Sequence, residues 1–331
     1  MRAPLLFSVL LAGMSSQASA LNILLTNDDG LTSNVKALYT ALKAEGHNVV
    51  VSVPCMGQSG MGAAVKFFTP LTPLTEACLN NAAQAGDPGA GAMTKTDAGF
   101  DYSDFSYVYG TPVMATAYGL DIAGPKKWGG EPDLVLSGPN EGQNVGAIVV
   151  SSGTVSNVQF AAGRGYAAVA LSAGADSAGE EDEAGNHADN PQSGIIAGLS
   201  IKLVQELESK ADNGPLLPDG LALNVNFPDE PAADTPFAFS EIGDYNLYQL
   251  KFIEDLSQDP VAQSYGLGDY PYPGMSIGFN SEAPTAEQAD DESAVYQSRV
   301  AVTAMQVAYD HSTAGQQWMR LRLRDLLDSG E

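Results

Sequence analysis

"ILLTNDDG", residues 23–30, is an apolar run that ends in two adjacent aspartates and a glycine. Ile23, Leu24 and Leu25 follow one another without polar alternation, the pattern of a strand covered on both faces. The strand is expected over residues 22–26. A helix is expected over Leu31–Gly46, with Val35, Leu38, Tyr39 and Leu42 as its apolar stripe, Thr32 or Ser33 as its cap and Gly46 as its end. "NVVVSV" (48–53) is a second buried strand. Strand, helix and strand in this order imply parallel pairing and a right-handed crossover.

The alternation continues outward. Helices are expected over 111–123, 155–165 and Ile195–Lys210, and strands over 132–138, 167–172 and 221–228. The chain therefore reads as an α/β protein, an open, doubly wound, mostly parallel sheet with helices on both faces. Its core spans 21–228, with loop insertions at about 80–99 (small and Gly-rich) and 174–191 (acidic), both expected to be mobile. Residues 229–331 form a C-terminal extension on the same domain: a Tyr- and Pro-rich stretch at 245–279, a late strand within 295–311, and a terminal helix. Upstream, residues 1–20 have one basic residue, Arg2, an apolar run from Leu5 to Met14, and Ala18 and Ala20 in an A-x-A-like cleavage pattern. They read as a secretory signal peptide, so the mature chain is expected outside the cytoplasm, periplasmic or secreted.

Charge narrows the partners. There are 15 Lys and Arg against 40 Asp and Glu, a net charge of −25. Such a chain repels nucleic-acid backbone and anionic membrane, so neither is an expected partner. A small anion binds only where a cation or converging N–H groups reverse the local field. Two cysteines, Cys55 and Cys78, cannot make a four-thiolate site, and three histidines without ligand spacing do not point to a soft-ligand metal. The cysteines flank one loop and are expected to pair; two free thiols are the other reading.

In open α/β sheets, ligands bind at the carboxyl ends of the strands. The loops there are "TNDDGL" after the first strand, "PCMGQSGMG" after the second and "SGPNEGQNVG" after the strand at 132–138. Adjacent carboxylates are tolerable when a divalent cation sits between them. Asp28 and Asp29 with Ser59 and Asn140 make an all-oxygen donor set, suited to Mg²⁺ or Mn²⁺ and also to Ca²⁺. The competing reading is a plain turn whose acids suit a helix dipole. Ser152, Gly153 and Thr154 precede a helix, where they either cradle a phosphate or simply cap. There is no GxxxxGK[ST], no GxGxxG after the first strand and no GxSxG elbow. His47 lies at a helix-to-strand joint and reads as structural; His311 has no assigned role.

"ILLTNDDG", "GHNVVVSVP", "QSGMG", "YGTP", "PDLVLSGPNEGQNVG", "SGTV" and "LNVNFP", in this order and spacing, resemble the SurE family. The resemblance covers residues 21–172 and part of 221–228, and weakly 290–311. It implies a divalent-metal-dependent phosphatase acting as a 5′/3′-nucleotidase, on a Rossmann-like core whose C-terminal hairpin often exchanges between subunits. Carried over by position, the metal ligands are Asp28, Asp29, Ser59 and Asn140. The phosphate side falls on Asn27, Ser152, Gly153 and Thr154. Cys55-Met56 stands where the family has Asp-Arg, and Pro139 where it has an apolar residue.

The expectation is an exported phosphomonoesterase that releases phosphate from nucleoside monophosphates or similar small esters and works as a homodimer or higher homo-oligomer. Either metal-activated water attacks phosphorus, or Asp28 or Asp29 does so directly. The alternative is a periplasmic phosphate- or nucleotide-binding protein without turnover; a third reading is an acidic turn that holds Ca²⁺ structurally. Tyr265, Tyr270 and Tyr272 are read either as a lid that stacks on a nucleobase or as packing residues.

Overall fold

A computed structural model describes residues 20–179, 188–211 and 214–327. The first half runs β1 (Asn22–Thr26), α1 (Ser33–Ala44), β2 (Asn48–Pro54), β3 (Ala90–Ala92), β4 (Phe105–Val108), α2 (Pro112–Tyr118), α3 (Gly124–Trp128), β5 (Leu134–Glu141) and α4 (Gly153–Gly163). The second half runs β6 (Ala168–Ala173), α5 (Pro191–Lys210), β7 (Leu221–Asn226), β8 (Phe237–Ser240), β9 (Tyr248–Ile253), α6 (Pro260–Ser264), β10 (Gly274–Phe279), α7 (Glu292–Val295), β11 (Val300–Gln306) and α8 (Thr313–Leu327).

Nine strands form one sheet in the order β3-β4-β2-β1-β5-β6-β7-β11-β8. β1 pairs in parallel with both β2 and β5, in register Leu24↔Val50 and Leu24↔Val135. The chain steps outward from β1 to β2 and β4, then crosses back to β5 on the other side of β1. Strand order reverses between β1 and β5, so the loops leaving these two strands diverge and open a crevice.

Each central strand feeds two cores because its side chains alternate. Ile23, Leu25, Val49, Val51, Leu134 and Leu136 join α1 and α5 on one face. Leu24, Val50 and Val135 pack with Val155, Val158 and Ala161 of α4 on the other. α1 starts where the Thr32 hydroxyl accepts from Val35 N–H at 3.3 Å, so Thr32 is the cap. His47 is buried at the expected joint, accepting from the Leu21 N–H at 3.3 Å.

Several elements differ from expectation. The helix at 111–123 is two, α2 and α3, joined by a π-turn over Gly119–Ala123. β5 runs past the expected end at 138 to Glu141, after a register shift against β6 between Ser137 and Asn140. Asn140 therefore lies in the last two residues of a strand rather than in a loop. The 80–99 stretch is not simply a surface loop: β3 pairs antiparallel with β4, and Ala82, Ala83 and Met93 are buried. Small residues there fit under the sheet edge. The late strand is shorter than 295–311, being β11 preceded by α7, and it inserts antiparallel to β7. β8 and β11 thus join the main sheet, while β9 and β10 form a separate antiparallel hairpin. Cys55 and Cys78 are disulfide-bonded. No helix among the described residues is long and apolar enough to cross a membrane. The expected leader falls almost wholly outside the described residues, as does the acidic run Glu180–Glu183.

Candidate functional site

Three strand ends meet at the β1/β5 crevice. The β1 turn is closed by Asn27, whose Nδ2 donates to Gly30 O at 2.7 Å and whose Oδ1 accepts from Gly30 N–H at 3.1 Å. Both ends of that amide are spent on the turn, so Asn27 shapes the loop that carries the two acids. The Asn27 carbonyl in turn accepts from Asn157 Nδ2 of α4 at 3.1 Å.

Asp28 points into the protein and is buried. Thr154 Oγ1 donates to its Oδ1 at 2.5 Å, and the Gly153 N–H adds a second donor. Burial pushes the Asp28 carboxyl up to about 7, and the charge of Asp29 pushes the same way against the pull of Thr154 and the backbone donors. Gly153 admits this approach: a Cβ there would lie 2.6 Å from the Asp28 Cβ and 2.8 Å from its Oδ2. The Ser152 hydroxyl caps α4 by accepting from Val155 N–H at 3.0 Å. The donors of the α4 N-terminus, read from sequence either as a phosphate cradle or as caps, are turned largely on Asp28 and on the helix itself.

Asp29 faces the other two loops. Ser59 Oγ donates to its Oδ1 at 3.3 Å and Glu141 N–H to its Oδ2 at 3.1 Å. The Ser59 loop is pinned across the site, because Gln58 N–H donates to Asp28 O at 2.8 Å and Gly62 N–H to Ser151 O at 3.0 Å. Asn140 donates through Nδ2 to Gly142 O at 2.7 Å, which fixes the amide. Its Oδ1 is buried without a hydrogen-bond partner among the described residues. An orphaned acceptor of this kind is costly unless something electropositive meets it. A hard cation satisfies it, and the donor set of two carboxylates, a hydroxyl and an amide oxygen suits one. Among the described residues there is no cluster of three or more His, Cys, Asp and Glu that competes as a metal site.

The structure brings Asp28, Asp29, Ser59 and Asn140 to one crevice, with Ser152, Gly153 and Thr154 behind Asp28. Tyr265, Tyr270 and Tyr272 lie between β9 and β10 with exposed rings. Sequence reading missed Thr154 and Gly153 as supports of Asp28, and the Glu141 backbone as a support of Asp29. No local signal marks these contacts, since their partners are 126 and 112 residues away.

A family model described as survival protein SurE matches residues 23–247. An acid phosphatase of Yarrowia lipolytica is 35% identical over 222 residues, covering 64% of this chain and 58% of that protein. A 5′-nucleotidase SurE of Maridesulfovibrio salexigens is 39% identical over 153 residues, covering 46% of this chain and 51% of that one. The chain thus spans between half and three-fifths of the length of these two relatives. The crystal structure of a SurE protein from Aquifex aeolicus superposes with a TM-score of 0.61 at 26% identity, over 91% of this chain and 99% of that one.

Proposed function

The chain belongs to the survival protein SurE family, and from that premise we propose that it is a divalent-metal-dependent phosphomonoesterase acting on nucleoside monophosphates or similar small phosphate esters. The observation that carries this reading is the orphaned Asn140 Oδ1 in the same crevice as Asp28, Asp29 and Ser59. The relatives named acid phosphatase and 5′-nucleotidase support it.

Asp28, Asp29, Ser59 and Asn140 would hold the ion, Mg²⁺ or Mn²⁺ by donor type, with Ca²⁺ as a further candidate. When bound, such an ion neutralises phosphate oxygens and lowers the pKa of a bound water. The protein's own contribution is placement. Thr154 and Gly153 hold Asp28, Ser59 and the Glu141 N–H hold Asp29, and the positive end of the α4 dipole lies behind the crevice, where it favours an anion.

The deciding experiment is a panel of nucleoside monophosphates and p-nitrophenyl phosphate with Mg²⁺, Mn²⁺ or EDTA. Phosphate release that needs the metal and stops in EDTA is expected. Nucleotide binding without release would favour a binding protein, and Ca²⁺-dependent stability without either would favour a structural ion.

We also read the protein as exported and self-associating. The Cys55–Cys78 bridge, which persists in oxidising compartments, and the apolar run at 5–14 support export. An N-terminus at Leu21 on the secreted protein is expected, and Met1 would contradict it. Exposed Phe252, Met275 and Phe279 on the hairpin and Trp318 on α8 support a homodimer or larger assembly, which sedimentation tests.

A further inference from the structure

The turn at Gly146–Ser151 joins the two halves of the crevice: it follows Asn140 and leads directly into Ser152, Gly153 and Thr154. As a short 3₁₀ helix it begins with N–H groups that have no partner inside it. Both of the first two are satisfied from the C-terminal extension. Gly146 N–H donates to Glu292 Oε1 at 2.8 Å, and Ala147 N–H to Asn246 Oδ1 at 2.5 Å. Gly146 has φ +57, and a Cβ there would meet Asn246 Oδ1 at 2.7 Å, so the turn is seated tightly on the extension.

Glu292 itself is fully buried. Its Oε2 accepts from Asn224 Nδ2 at 2.9 Å and from Thr303 Oγ1 at 3.1 Å. Asn224 Nδ2 also reaches Asn144 O at 2.8 Å, and Asn144 N–H donates to Asn226 Oδ1 at 2.8 Å. The segment from Asn144 to Ala147 is thus clamped between β7 and the extension, with Glu292 bridging the two. A buried carboxylate is an expensive way to stabilise a fold, because apolar residues of similar volume do as well or better. Its directional value is different: it fixes a backbone N–H at a set distance from β7 and β11.

We propose that Glu292 is a positioning residue for phosphomonoester hydrolysis, setting the 146–151 turn and through it the placement of Asn140 relative to Thr154 and Asp28. Activity then depends on the extension being docked on the core. This rests on the phosphomonoesterase reading of the crevice.

The test compares wild type, Glu292→Ala and Glu292→Gln with p-nitrophenyl phosphate and Mn²⁺, well below each melting temperature. Amide hydrogen exchange is followed on the same proteins. In Glu292→Ala, kcat falls about tenfold or more, since small misplacements cost that much. Exchange rises in the peptide covering 142–151 while β1 stays protected. Glu292→Gln keeps an acceptor for Gly146 N–H but turns its amide nitrogen toward Asn224 Nδ2, itself a donor, and toward the Thr303 hydroxyl, so it restores part of both and lies clearly between wild type and Glu292→Ala. Turnover within about twofold of wild type in folded Glu292→Ala overturns the proposal. So does a rise in exchange that is uniform over the sheet. If wild type hydrolyses no phosphomonoester, the functional reading has failed on its own, and the exchange comparison at 142–151 still decides whether Glu292 sets the turn.

Discussion

Asp28 and Asp29 are neighbours in the chain with opposite surroundings, one buried against α4 and the other held between the Ser59 loop and β5. Neutralising either by Asn keeps size and removes a repelling charge. The expected outcome is a melting temperature in EDTA that is unchanged or higher, with metal-dependent hydrolysis down by about a hundredfold or more. Ser59→Ala and Asn140→Ala lose less, because neutral ligands contribute less to holding the ion. A turn or capping role predicts the reverse, about 1 kcal/mol of stability lost with turnover intact. Melting and rate measured on each variant separate the two. Gly153→Ala is a sharper probe, because its Cβ would press on Asp28; hydrolysis should fall although no ligand has changed. The acid pair was legible because like charges ending a buried strand demand an explanation. Asn27, carried over by resemblance to the phosphate side, spends its amide on the turn that carries the acids, as Asn with Gly three residues on signals. For Thr154 the sequence offers a phosphate cradle or a cap and not the bond to Asp28, because a helix N-terminus shows its donors in sequence and hides what docks against them.

At the scale of elements, the strand–helix alternation was legible because the parallel strands are covered on both faces and so are uniformly apolar. What was not legible depends on distant partners. β3 is three residues of Ala and Gly, with no pattern of its own, and exists by pairing with β4. The break between α2 and α3 lies at the π-turn, where Gly119 packs against Leu24 and Ser52. The disulfide ties the Ser59 loop to the chain at Cys78: Cys55 directly follows β2, and Leu79 N–H, next to Cys78, donates to Cys55 O at 2.9 Å. Cross-linking across a separation of 23 residues restricts the unfolded chain by about 3 kcal/mol in the chain-entropy model. The double variant Cys55→Ser/Cys78→Ser should lose that order of stability in urea titration. The wild-type chain, denatured without reductant, should show no titratable thiol; two thiols would remove the bridge.

For the whole molecule, 40 acids against 15 bases make carboxylate titration the main determinant of how stability varies with pH. Among the described residues few of these carboxylates are buried, and Glu292 is the most completely buried of them. Burial pushes its carboxyl from 4.5 to about 7, against the pull of Gly146 N–H, Asn224 and Thr303, with the charge of Asp291 pushing upward as well. Asp291 is the charged group acting on it; its other three partners are neutral. Between pH 4.5 and 7 the folded chain therefore binds a proton at Glu292 that the unfolded chain has released. The unfolded state binds fewer protons, so the slope of stability against pH is negative in this window. The contribution is fully present below about 4.5 and is lost as pH rises through about 7. Glu292→Gln cannot release that proton. Measured in EDTA, the melting temperature of wild type should fall more between pH 5 and pH 8 than that of Glu292→Gln. Other titrating groups act on both proteins alike and cancel in the difference. Parallel curves would mean that the Glu292 carboxylate stays charged on its three donors throughout the range, with no proton held on folding.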